Sequence, residues 1–145
     1  MTFENYIKGE LTSFVTKEAL RYGSADCPLA VAQVIANRVN EGWQGGDWLK
    51  VIAAAPNYRG TVLKDTFEVD PRSAAFRQIL SGVESIYHGT ADDSNVNIED
   101  DRGEMRSLYY CELHNVTEAW FRENILKHTD DHPRIAKVGE LTFFA

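Results

Sequence analysis

Residues 3–22 read FENYIKGELTSFVTKEALRY and residues 28–40 read PLAVAQVIANRVN. In the first stretch Phe3, Ile7, Leu11, Phe14, Val15 and Tyr22 recur at the spacing of one helical face, which predicts an amphipathic helix. The second stretch is apolar on nearly every side. Its alanines permit close packing and Pro28 suits a first helical turn, so it reads as the central buried helix.

Downstream, Asp47 to Ala55 predicts a shorter helix capped by Asp47 and stopped at Pro56, followed by a loop over 56–66. Asp70-Pro71 opens a helix running to Tyr87, with Asp70 as N-cap and Pro71 at the first helical position. Phe76, Ile79, Leu80, Val83 and Tyr87 form its apolar stripe, and His88-Gly89 ends it. Residues 90–106 are polar and acidic and read as a long surface loop. Ser107 to Cys111 (SLYYC) reads as a short strand, and Thr117 to Lys127 as a helix capped by Thr117. The tail KVGELTFFA is strand-like and is expected to pair with SLYYC. The expectation is an α+β fold, mostly helical, with a small antiparallel hairpin or sheet in one domain over 1–145.

Composition narrows the function. A chain of 145 residues suits one domain, and 43% hydrophobic with 26% charged residues is ordinary for a globular protein. No apolar run approaches the ~18–20 residues that span a bilayer. With 15 Lys+Arg against 22 Asp+Glu the net charge is −7, which argues against nucleic acid and anionic membranes as partners. Cys27 and Cys111 are too few for a disulfide framework. The N-terminal MTFENYIKGE has neither a basic segment nor an apolar core, so no secretory signal is read and synthesis in a reducing cytosol is expected.

The first helix carries an anomaly. On a helical wheel Ile7, Leu11, Phe14 and Tyr22 lie within roughly 40° of Glu18. A carboxylate on the stripe that faces the interior either finds a partner or becomes neutral. One reading is a catalytic acid that keeps its proton near neutral pH and delivers it to a leaving oxygen. The other is a structural ion pair with Arg21, Arg38 or another basic residue.

The stretch TKEALRYGSADCPLAVAQVIANRV, residues 16–39, resembles the bacterial and phage cell wall hydrolase family that includes the germination-specific spore-cortex lytic enzymes. That family carries a Tyr-Ala-Glu-Ala stretch, a Gly-rich turn and a Val-Ala-x-Val-x-x-Asn-Arg-Val helix. Lys17-Glu18-Ala19 matches the first and residues 31–39, VAQVIANRV, match the last. Thr66-Phe67-Glu68 corresponds to a family Gln-Phe-Ser, and Asp70-Pro71 to its next helix. Leu108-Tyr109-Tyr110 resembles Leu-Tyr-Tyr/Phe, Trp120 a family Trp, and Gly139 with Phe143-Phe144 the closing motif. Cys111-Glu112-Leu113 stands where His-Asn-Pro is usual, and Leu141 where the closing His is usual.

The resemblance implies a lysozyme-like fold and cleavage of the β-1,4 bond between N-acetylmuramic acid and N-acetylglucosamine in peptidoglycan. Hydrolysis generally needs two carboxylates. A lytic transglycosylase works with one, which matches the lone Glu18 on its stripe. Glu68 and Asp70 are the available second carboxylates, otherwise a loop acid and a helix cap. Asn37, Phe67, Tyr109, Tyr110 and Trp120 are the candidate substrate-binding residues. In a strand Tyr109 and Tyr110 point to opposite sides, so at most one faces a cleft. No cofactor is expected. The partner is the peptidoglycan glycan strand, met after release from the cytosol or as a virion component.

Other constellations are weaker. Asp93, Asn95, Asn97, Glu99, Asp101 and Glu104 have the spacing of a calcium loop, but Ile98 stands where its glycine belongs. His128 and His132 flank Asp130-Asp131 in a charged loop. Neither cysteine sits in a recognised nucleophile signature, although His114 is close to Cys111. The competing functional class is a non-catalytic acidic module that binds protein or glycan on the same scaffold.

Overall fold

The structure, a computed structural model, describes residues 1–62, 69–91, 95–101 and 103–145. Among these residues the chain is α+β, with five helices and two small antiparallel sheets. No helix among them is long and apolar enough to cross a membrane.

Helix α1 (Phe3–Ala19) starts where the Thr2 hydroxyl accepts the Asn5 N–H at 3.1 Å. Of the predicted stripe Ile7, Leu11 and Val15 are buried, Phe14 and Tyr22 half-buried and Phe3 exposed, and Ala19 is buried beside them. The helix is shorter than the expected 3–22: it tightens into a 3₁₀ turn over Leu20–Tyr22. Helix α2 (Asp26–Asn40) is the central helix, with Val31, Ala32, Val34 and Ile35 fully buried. It begins two residues before Pro28, which still lies in the first turn, where a missing N–H costs nothing. Helix α3 (Trp48–Ala54) is capped by Asp47, which accepts the Lys50 N–H at 3.1 Å, and runs into a 3₁₀ turn through Pro56.

Helix α4 (Ala74–Tyr87) packs on α1 and α2 through Phe76, Ile79 and Val83. Its cap is Ser73, not Asp70. The Asp70 carboxylate instead accepts the Arg72 N–H at 2.9 Å, and its carbonyl accepts the Ser73 N–H. That turn delays the helix by one loop of chain. A Lys8–Glu84 ion pair at 3.2 Å ties α1 to α4.

The expected surface loop over 90–106 contains a hairpin instead. Strands β1 (Asn97–Asp100) and β2 (Gly103–Arg106) pair antiparallel, Ile98 opposite Met105. Both strands are polar and only four residues long, so no alternation marks them.

The second sheet joins β3 (Tyr109–Cys111), β4 (Arg134–Val138) and β5 (Leu141–Phe144) in the order β3-β5-β4. The expected pairing of SLYYC with the tail is present, Tyr109 opposite Phe144 and Tyr110 opposite Phe143. The tail is itself a hairpin turning at Gly139, which has φ +57°. A Cβ at Gly139 would collide with the Tyr22 carbonyl and the Cys27 sulfur, so only glycine fits. All of β5 is buried because both its faces are covered. Leu141 and Phe143 join the helical core, while Phe144 joins Cys111, Phe121 and Ile125.

The segment expected as a regular helix over 117–127 is shorter and wider. Helix α5 (Ala119–Phe121) passes directly into a π-helical turn over Arg122–Leu126. Thr117 does not cap it: its hydroxyl accepts the Val62 N–H at 3.0 Å and pins the preceding loop.

Candidate functional site

Glu18 occupies the last turn of α1 and is 4% exposed. Its Oε1 accepts a hydrogen bond from the Tyr110 hydroxyl at 3.0 Å, and its Oε2 one from Arg59 Nη1 at 2.6 Å. Two opposed influences act on it. Burial pushes the carboxyl up, the Arg59 cation and the Tyr110 hydroxyl pull it down, and burial wins, so Glu18 titrates above the usual carboxylate range. Burial, and next the Glu18 charge, drive Tyr110 well above an ordinary tyrosine. Tyr110 is therefore a neutral donor at physiological pH.

Arg59 is aimed by its neighbours. Gly60 follows it at φ +78°, and a Cβ there would meet Cys111 and Phe121 at 2.9 Å. The Gly60 carbonyl accepts the N–H groups of Thr117 and Glu118 at 2.9 and 3.2 Å. Arg59 Nε donates to the Thr61 carbonyl at 2.6 Å. The guanidinium has its second anchor here, and the Arg59 side chain is 13% exposed against 4% for Glu18.

Beside this pair lies a circuit of four rings. Trp43 and Tyr58 meet edge to face at 5.1 Å, Tyr58 and Trp120 at 5.6 Å. Trp120 and Tyr109 lie 6.1 Å apart, and Tyr109 closes on Trp43 at 5.6 Å. Trp120 is 43% exposed and the other three are partly buried. Beneath them the Arg38 guanidinium, fully buried, sits 4.9 Å from the Trp43 ring centre and 5.9 Å from that of Tyr110. The acid and the rings thus share one neighbourhood, joined through Tyr110 and Arg38.

Compared with protein-family models, curated proteins and solved structures, the chain gives no significant match.

The sequence-predicted residues divide accordingly. Tyr110 turns inward to Glu18, while its strand neighbour Tyr109 faces the ring circuit with Trp120. Asn37 lies elsewhere. It is fully buried, and its amide donates to Asn97 Oδ1 at 2.7 Å and to the Ser107 carbonyl at 2.9 Å, with Gln33 on its oxygen. These partners satisfy it and clamp the β1–β2 hairpin to α2, so it holds a neighbouring segment and is not free to bind substrate. Phe67, with Thr66 and Glu68, lies outside the described residues. Asp70 is half exposed and paired with Arg72 at 3.2 Å.

Arg59, Tyr58 and Trp43 were missed. The first two fall in a segment that reads as a loop, and Trp43 follows the end of α2; none has a periodic neighbour to betray it. The acidic spacing proposed for calcium falls mostly on the hairpin: Asn97 is engaged by Asn37 and Glu104 by Arg106, and Asp93 lies outside the described residues. His132 rests against the Tyr109 ring and bonds the Ala145 carbonyl through Nδ1 at 2.8 Å. Burial pushes the Cys111 thiol up to about 12 and raises Cys27 as well, so neither is a ready thiolate. A cavity of about 300 Å³ opens between α2 and α4, lined by Leu29, Gln33, Gly82, Ile86 and Val96 and by none of the Glu18 cluster.

Proposed function

We propose that this chain cleaves the β-1,4 bond between N-acetylmuramic acid and N-acetylglucosamine of peptidoglycan on a lysozyme-like scaffold. Glu18 serves as both acid and base of a lytic transglycosylase. The observation that carries the reading is Glu18 itself: a carboxyl 4% exposed, raised by burial, held by Tyr110 and set beside an aromatic face whose outer ring is open to solvent.

The Glu18 carboxyl donates its proton to the glycosidic oxygen as the bond to the muramic acid C1 breaks. The resulting carboxylate takes the proton of the muramic acid C6 hydroxyl as that oxygen bonds to C1. A 1,6-anhydro ring forms, no water is consumed, and the acid regains its proton. Only one carboxylate is needed, consistent with Asp70 being committed to an exposed turn with Arg72. Arg59 withdraws from Oε2 to let the proton reside there. Tyr110 remains a donor to Oε1 throughout and steadies the carboxylate once the proton has left. Tyr109, Tyr58 and Trp120 offer ring faces against which a sugar can lie.

Purified peptidoglycan incubated with wild type is expected to yield muropeptides with anhydro ends by mass spectrometry, and Glu18→Gln none. Equal cleavage by both proteins refutes the mechanism. Reducing ends in place of anhydro ends would make the reaction a hydrolysis.

One observation favours a second reading. The 2.6 Å ion pair between Arg59 and a carboxylate 4% exposed is also what a structural lock looks like. On a non-catalytic module, glycan or protein binding would survive Glu18→Gln and no wall preparation would be cleaved.

A further inference from the structure

Arg38 is a buried charge that the fold and the Glu18 cluster leave unexplained. It is fully buried on α2, and no carboxylate pairs with it among the described residues. Its Nε donates to the Leu108 carbonyl at 2.8 Å, yet Nη1 and Nη2 make no hydrogen bond there. Burying a cation with unmet donors is costly. What surrounds the head group is aromatic: the ring centres of Trp43, Tyr58, Tyr110 and Tyr109 lie 4.9, 5.5, 5.9 and 6.0 Å from Cζ. A desolvated guanidinium within about 6 Å of ring faces is attracted to each of them. Three of the four rings belong to the circuit, and the fourth is the donor to Glu18.

We propose that Arg38 is a positioning residue: one buried cation gathers Trp43, Tyr58 and Tyr109 into a fixed wall and seats Tyr110 against Glu18. It never touches ligand. The rings come from separate segments: a turn after α2, a turn after α3, and strand β3. Without a shared centre each ring keeps only its edge or tilted contacts with its neighbours. The Leu108 carbonyl bond fixes the guanidinium to the start of β3, so the cation also sets the strand's approach to α2. An apolar side chain would fill the space and lose the attraction to every ring at once. A lysine would keep a cation among the rings and lose the directed Nε bond.

The role of the wall as a sugar platform rests on the proposed function, but the gathering of the rings does not. In wild-type protein labelled at arginine, the Arg38 side-chain proton resonances are expected well upfield of free arginine, shifted by ring currents. Values equal to free arginine overturn the proposal. Arg38→Met is expected to keep its far-ultraviolet helical signal, lose the near-ultraviolet aromatic band, and bind chito-oligosaccharide about tenfold more weakly. Arg38→Lys is expected to recover most of the band and affinity, and on peptidoglycan to raise KM more than it lowers kcat. Equal loss in both variants, or an unchanged band in Arg38→Met, overturns it. If Arg38→Met does not fold, Arg38→Lys decides alone: a retained band supports the role and a lost band refutes it. If wild type neither binds chito-oligosaccharide nor cleaves peptidoglycan, the glycan reading fails, while the resonance positions and aromatic band still decide the place of Arg38.

Discussion

Replacing Arg59 by Met removes the one cation within hydrogen-bond distance of Glu18 among the described residues and leaves a carboxyl 4% exposed with Tyr110 as its remaining donor. Breaking a buried ion pair from one side costs about 3–5 kcal/mol while the stranded charge persists. Protonation relieves that cost, so the loss depends on pH. Glu18 titrates above its unfolded value of 4.5 because burial outweighs Arg59, and loss of Arg59 raises it further. A raised carboxyl contributes stability that is fully present below the unfolded value and disappears as pH climbs through the folded one. Below 4.5 both proteins carry a neutral Glu18, and the variant forfeits only the Thr61 contact and packing. Above the variant's own titration both carry a charged Glu18, and the variant meets it with only the Tyr110 hydroxyl and the more distant Arg38 cation. Urea unfolding should therefore show a gap between the two proteins that is smallest below 4.5 and widens, by up to about 3 kcal/mol, as pH rises through the raised Glu18 titration. The contact with Thr61 does not titrate and cancels in that difference. A gap that stays the same size across the whole pH range would mean that Arg59 does not govern Glu18. Under the proposed chemistry the acid must be protonated to act, so the alkaline limb of cleavage should move to higher pH in the same variant.

Three further outcomes follow from the fold and the site. Gly139→Ala places a Cβ at φ +57° against the Tyr22 carbonyl, so thermal unfolding should show a loss of more than about 1 kcal/mol. Asn37→Leu strands Asn97 and the Ser107 carbonyl and should cost about 2–3 kcal/mol, with faster amide exchange confined to the β1–β2 hairpin. Cys111, buried and raised to about 12, and Cys27, buried and raised, should resist alkylation at neutral pH in the native protein and react fully once it is denatured in urea.

What the sequence disclosed was what is local. The stripe of α1 and the apolar turns of α2 follow from a 3.6-residue period, and so does the placing of Glu18 inside. The pairing of SLYYC with the tail was legible because both are short apolar, aromatic-rich runs. The cap of α4 was misplaced: the sequence points to Asp70, whose side chain closes on Arg72 instead, and Ser73 three residues on caps the helix. The partner of Glu18 was illegible, since Arg59 lies 41 residues away and reaches it only because Gly60 lets the chain pass against Cys111 and Phe121.

The sequence Asn37-Arg38 shows why a polar pair in a buried helix need not be a substrate site. Successive helical residues diverge by about 100°, so two adjacent polar side chains face different elements. Asn37 reaches the β1–β2 hairpin and the Ser107 carbonyl, and Arg38 reaches the Leu108 carbonyl and the rings of Trp43 and Tyr58. The carbonyls they bind are consecutive, so the two side chains grip one short piece of chain between the hairpin and β3. Two residues later that piece presents Tyr110 to Glu18. The acid at the end of α1 and the polar pair on α2 are therefore linked by the same few residues of backbone. A change at either helix that shifts residues 107–110 should alter the setting of Glu18 without touching it.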